Sequence, residues 1–272
     1  MGFKSALKRI AQLFTRYTPL QQVEDTTSAC KELLRVILED ASPYSIAAVT
    51  PDGHRSVPDR YEYQGPNYRV ARVEIAQICN NDIFPPKVNH PGLAGLSCPD
   101  AILFSQSCSF AVYYFWNLIV HNFLSGIIDK QATRWLELRV IPEFDSYIPS
   151  RLNNWQYRLT THTIMVIKIL SGQEFVLDIT GIQFGFDELV VPLEEYKRKR
   201  AIPRSDEKWM NQSSNELEYW LRHTFPEPWV SLRGTVGREV LLEWLALGKP
   251  RFKSKVVRKL QGVVLREIQK KR

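Results

Sequence analysis

The sequence predicts an α+β fold in which a helical N-terminal part packs on an antiparallel sheet and a helical C-terminal part follows. Three observations carry this expectation. Apolar residues recur at helical spacing up to about residue 124, alternation and a hairpin signal occupy the stretch from Trp135 to Ile179, and helical patterns return after Asn215. No regular strand–helix–strand alternation runs through the chain, which disfavours a doubly wound parallel sheet. The 272 residues, 44% hydrophobic, 24% charged and 11% aromatic, are ordinary globular composition and enough for one large domain.

In chain order, Met1 to Tyr17 places Phe3, Leu7, Ile10 and Phe14 on one helical face beside Lys4, Lys8 and Arg9. This basic, amphipathic, acid-free start reads either as a transit peptide or as a surface helix. The Met-Gly start carries Ala6 where a myristoylation signal has Ser or Thr. A second helix is expected from a cap at Thr26 or Thr27, through Cys30, Leu33, Leu34 and Ile37, to Glu39. Residues 42–67 are rich in turn formers (Pro43, Pro51, Asp52-Gly53, Pro58, Gly65-Pro66) and read as loop. Arg69–Cys79 fits a strand or a short helix, and the chain from Pro85-Pro86 to Pro99 reads as irregular again.

The strongest helix is expected from Ser107 to Phe123, stopped by Ser125-Gly126. Its apolar run, Cys108 to Val120, is shorter than the roughly 18 residues a membrane span needs. Trp135–Ile141 alternates as a strand and is stopped by Pro142. Thr160–Ile169 and Gln173–Ile179 form a β-hairpin. Lys197-Arg198-Lys199-Arg200, before Pro203, reads as a solvated connection. Helices near Asn215–His223 and Gly237–Leu247 then lead to the tail.

The net charge of +7 is uneven. Residues 249–272 carry +9 and residues 1–23 carry +4, which leaves the middle at −6. The expected organisation is therefore a basic N-terminal helix (1–23), an α+β domain (24–248) and a basic C-terminal helix or tail (249–272). The tail interleaves Val256, Val257, Leu260, Val263, Val264 and Ile268 with its cations. Such a helix suits an anionic membrane, nucleic-acid phosphates or packing on the domain. Four cysteines without a Cys-x-x-Cys pair make neither a disulfide framework nor a zinc ribbon, so a reducing, cytoplasmic setting is expected.

The residues that could carry chemistry begin with Cys108. It stands where polar residues (Ser105-Gln106-Ser107) give way to the apolar helix. A cysteine in a helix's first turn meets unpaired backbone N–H groups and the positive end of the dipole, which favour its thiolate. Those N–H groups, with Gln106 and Ser107, are candidates to bind substrate or stabilise an oxyanion. The competing reading of Cys108 is a small core residue.

The hairpin supplies partners. A three-residue loop, Leu170-Ser171-Gly172, puts glycine where the common three-residue turn needs a left-handed residue. Ile169 then faces Gln173, and His162 faces Thr180. Asp178 becomes the diagonal, same-face neighbour of His162, roughly 7–8 Å away between backbones. A two-residue loop would send Asp178 to the opposite face. A carboxylate beside a histidine fixes its tautomer and favours the imidazolium form, and that histidine draws the proton from a thiol. Cys108, His162 and Asp178 together read as a nucleophilic triad.

A helix-start cysteine followed by a hairpin bearing histidine and aspartate resembles the papain-like thiol superfamily in its transglutaminase-like form. The local pattern Thr161-His162, Gly172, Phe175-Val176-Leu177-Asp178, then Gly181 and Gly185, is similar to arylamine N-acetyltransferases. The resemblance implies a transglutaminase-like fold with Cys108 as acyl-accepting nucleophile, His162 as base and Asp178 as its orienting acid. It spans about residues 100–190. Around the cysteine the sequence departs from the Gly-rich, Trp-containing approach of these families.

Other constellations are weaker. Cys98 is followed by Pro99, Cys30 and Cys79 lie on apolar faces, and His90, Cys98 and Cys108 lack metal-ligand spacing. His121 reads as a core histidine, and His54 and His223 as loop and helix-surface residues. No phosphate-cradling or dinucleotide fingerprint occurs, so neither a cofactor nor a metal is expected. Two functions result. One is a thiol-dependent acyltransferase or amide hydrolase, with a polyanion (coenzyme A or a charged RNA) as candidate acyl donor and an amine or water as acceptor. The alternative is a non-enzymatic scaffold whose basic termini contact nucleic acid, membrane or an acidic partner.

Overall fold

Helix α1, Pro19–Ala41, begins well before the expected cap at Thr26 or Thr27. Thr18 is the cap instead: its Oγ1 accepts the Gln21 N–H at 3.3 Å, and proline fills the first helical position. Thr27 is buried inside the helix, where its hydroxyl donates back to the Val23 carbonyl at 2.8 Å. The helix runs unbroken through residues 23 and 24. A computed structural model describes residues 18–41, 44–55, 67–78, 99–104, 107–147, 161–205, 207–210 and 254–270. The amphipathic Met1–Tyr17 segment, Cys79, His90, Cys98, Gln106, His223 and the helices expected near 215–223 and 237–247 lie outside the described residues.

Residues 42–67 are not all loop. Strand β1, Tyr44–Arg55, pairs antiparallel with β2, Tyr68–Ile78. Pro51 and Asp52-Gly53 read as a turn, but the strand absorbs them through a register shift between Pro51 and His54. Strand β4, Phe144–Tyr147, joins β2 in parallel, so this three-stranded sheet is mixed rather than antiparallel.

The second sheet has the order β7-β6-β5-β3-β8 and is antiparallel throughout. Its strands are β3 (Ile128–Arg139), β5 (Thr161–Ile169), β6 (Glu174–Leu177), β7 (Val190–Pro192) and β8 (Lys208–Met210). Strand β3 starts earlier than Trp135. Its opening residues lose alternation at an irregularity between Asp129 and Arg134, where the Asp129 carboxylate accepts the Gln131 and Ala132 N–H groups.

Central strand β5 is covered on both faces, which explains its nearly continuous apolar run. On one face Met165 and Ile167 belong to a core with α1 and with helix α3, Cys108–Trp116. On the other, Ile164 and Val166 join a second core containing Phe184, Phe186, Leu193 and Tyr196. Helix α3 is preceded by the short α2, Pro99–Leu103, and continues as a wider π-helical turn, Asn117–Phe123. His121 is exposed on that turn and is not the core histidine its apolar neighbours suggested.

The basic run 197–200 is the last turn of helix α4, Leu193–Arg200, where cations complement the helix dipole. It is not a solvated connection, because Arg200 is buried. Helix α5, Ser254–Lys270, sends Val264 and Ile268 into the core shared with α1, so part of the tail's apolar stripe packs on the domain. Among the described residues no helix is long and apolar enough to cross a membrane.

Candidate active site

Cys108 is the first residue of α3. The turn that delivers it is closed by Phe104, whose carbonyl accepts the Ser107 N–H at 3.2 Å and the Ser107 hydroxyl at 2.6 Å. The Ser107 proton is thereby committed to the backbone, and the buried side chain holds the helix start in shape. The Ser109 and Thr163 hydroxyls, 3.0 Å apart, tie the first turn of α3 to the start of β5. That tie sets the thiol beside His162.

The hairpin has the register the three-residue loop predicts. The Gly172 N–H reaches the Ile169 carbonyl at 2.8 Å, Ile169 and Gln173 are hydrogen-bonded, and Lys168 through Met165 face Glu174 through Leu177. Gly172 has φ +97°, a conformation that favours glycine. His162 and Asp178 thus fall on one face, and their side chains close the diagonal gap: Nε2 lies 2.8 Å from Asp178 Oδ1. Phe184 meets the imidazole edge-on, with ring centroids 4.7 Å apart.

Both partners are out of solvent, His162 at 0% and Asp178 at 1% exposure. Burial alone would push the imidazole pKa down. The adjacent Asp178 carboxylate, aided by the Cys108 thiol, overcomes this and raises it to about 9. Burial likewise pushes the Cys108 thiol up. The neighbouring His162 imidazole, with the Thr163 and Ser109 backbone groups, brings it below the ordinary thiol value. For Asp178, burial raises the pKa, and His162, Tyr196 and Arg200 together hold it below the usual carboxylate range. The His162 Nδ1 makes no well-formed hydrogen bond. By contrast Cys30 has only burial acting on it, which pushes its thiol far up and leaves it inert.

Three residues at this site escaped the sequence reading. The Tyr196 hydroxyl donates to Asp178 Oδ2 at 2.7 Å, Arg200 Nη1 lies 3.9 Å from the same oxygen, and Phe184 borders the imidazole. Tyr196 and Arg200 are one helical turn apart, a signal masked by the charges of Glu194-Glu195 and Lys197-Arg198-Lys199 around them. Among the described residues no group of three or more His, Cys, Asp or Glu side chains is arranged to hold a metal ion. Comparison with protein-family models, curated proteins and solved structures finds no match.

Proposed function

We propose that the chain is a thiol-dependent acyltransferase or amide hydrolase of transglutaminase-like type, acting through Cys108, His162 and Asp178. The observation that carries this reading is one buried imidazole with a carboxylate at 2.8 Å on Nε2 and a helix-start thiol interacting with it. A purely structural histidine in an apolar core has no need of a thiol whose pKa it lowers.

The chemistry follows from this arrangement. Asp178 accepts the Nε2–H, which turns Nδ1 to the thiol, and the proton shared between sulfur and Nδ1 rests on the imidazole. The thiolate adds to the acyl carbon, and backbone N–H groups at the start of α3 are the available donors for the developing oxyanion. The His162 Nδ1–H then protonates the leaving group, and the carbon–leaving-group bond breaks to give the acyl-enzyme. An amine or water next gives its proton to Nδ1 and attacks the thioester, whose carbon–sulfur bond breaks to release the product and restore the Cys108 thiolate beside the imidazolium. A polyanionic acyl donor such as coenzyme A or a charged RNA suits the exposed cations Arg258, Arg266 and Lys270 of α5.

A scaffold that uses the basic ends is the second reading. The 9% exposure of Cys108 favours it. The two separate on the pH dependence of Cys108 alkylation, with sites read by mass spectrometry. The enzyme reading expects a rate that plateaus well below the reference thiol pKa of about 8.5, and a titration at least about one unit higher in His162→Ala. A Cys108 that labels only after unfolding overturns it.

A further inference from the structure

Besides His162, three residues border the Asp178 carboxylate. Tyr196 donates to Oδ2, and Arg200 faces the same oxygen. Against the third side stands Gly181, where a Cβ would meet Oδ2 at 2.6 Å, Cγ at 2.8 Å and Oδ1 at 3.1 Å. Any larger residue would displace the carboxylate. Arg200 is itself fixed. Its Nη2 bonds Glu188 Oε2 at 2.8 Å, and its guanidinium lies over Phe186 at 4.5 Å and Tyr196 at 5.0 Å.

A carboxylate removed from water is costly unless donors satisfy its oxygens. Here the two oxygens have different partners. Tyr196 donates to Oδ2, and Arg200, whose Nη1 donates to the Glu188 carbonyl at 3.4 Å, faces the same oxygen as an ion pair at 3.9 Å; both come from one turn of α4, so a single rigid element sets the rotation of the group. We propose that Tyr196 and Arg200, with Gly181 as the space they close against, are positioning residues that keep Asp178 ionised and turn Oδ1 to His162 Nε2. The assignment deepens the thiol-enzyme reading and rests on it for the role of Asp178. Among the described residues the charged and titratable groups around the imidazole are then Cys108 from α3, Asp178, and Tyr196 and Arg200 from α4, with Glu188 behind Arg200.

Loss of the clamp leaves the carboxylate two courses, to take the His162 proton or to turn away from the ring. Both lower the pH at which His162 gives up its proton. The test is a nitrogen-15 NMR titration of ring-labelled histidines in the full-length protein, with His162 assigned by its loss in His162→Gln. Wild-type His162 is expected to stay imidazolium to about pH 9. In Tyr196→Phe and Gly181→Ala its midpoint is expected to fall by about one unit or more, toward the reference value of about 6.5. Arg200→Met is expected to lower it too, and Arg200→Lys, which keeps the charge, to restore most of it.

A merely structural role would lower the melting temperature and leave these midpoints in place. Folded variants that titrate as wild type overturn the proposal, and the Gly181 and Arg200 variants decide it if Tyr196→Phe does not fold. Cys108 alkylation is scored separately. An inert thiol with shifted midpoints removes the enzyme reading alone, and an activated thiol with unmoved midpoints removes the clamp alone.

Discussion

Asp178→Asn is expected to cut turnover of an activated acyl ester about 10³–10⁴-fold while the protein stays folded. The reason lies on the far side of the residue. Tyr196 donates to Oδ2 and the Arg200 cation faces it at 3.9 Å, so an asparagine must turn its carbonyl oxygen to them and its NH₂ to His162. An NH₂ facing Nε2 forces that nitrogen to become an acceptor. The ring proton then moves to Nδ1, beside the thiol, where the imidazole can no longer take the Cys108 proton. The counter-charge that lifts the imidazole to about pH 9 is lost in the same step. The fold is spared because asparagine has nearly the same shape and still accepts from Tyr196. Ester turnover and Cys108 alkylation at pH 7 are expected to fall together. Retention of either within tenfold of wild type would remove Asp178 as the orienting group.

The site was legible in the sequence wherever local chemistry decides geometry. The Leu170-Ser171-Gly172 loop sets the hairpin register because Gly172 supplies the left-handed conformation, and register alone puts Asp178 on the His162 face. The start of α3 was legible because polar residues give way there to an apolar run. What escaped depends on tertiary contact. Arg200 ends a run of four basic residues that looks fully solvated, and it is buried only because Asp178 and Glu188 await it. Thr27 resembles a cap, yet its hydroxyl has a mid-helix carbonyl to bond and Thr18 does the capping. Strand β1 hid behind its own bulge, because Pro51 and Asp52-Gly53 carry a turn signature wherever they occur. His121 shows the converse failure: apolar neighbours in sequence do not bury a residue that the π-helical turn rotates outward. The proposed transglutaminase-like character rests on the order of helix-start thiol, histidine strand and aspartate, and a fold alone carries no substrate.

Above both about pH 6.5 and the lowered pKa of the folded Cys108 thiol, and up to about pH 8.5, the stability of the wild type is expected to be flat, and that of Cys108→Ser to fall. Folded His162 has its pKa raised to about 9 against about 6.5 in the unfolded chain. Its contribution is fully present below about pH 6.5 and is lost as pH rises through about 9. Folded Cys108 has its pKa lowered against about 8.5 unfolded, so its contribution is present above that value and is lost as pH falls through the folded one. In the overlap the folded site holds one proton, on the imidazole, and the unfolded chain also holds one, on the thiol. Equal proton numbers mean zero slope. Serine does not titrate there, so Cys108→Ser uncovers the histidine, still raised by Asp178, and stability should decline as pH rises above about 6.5. Depression of the Asp178 pKa adds stability above about pH 3.9 that is lost on acidification, in both proteins alike. Urea midpoints at half-unit pH steps read the difference directly. Parallel curves for the two proteins would mean that no thiolate–imidazolium pair exists at neutral pH. A flat wild type beside a sloping variant would locate the shared proton on His162, the charge distribution that nucleophilic attack by Cys108 requires.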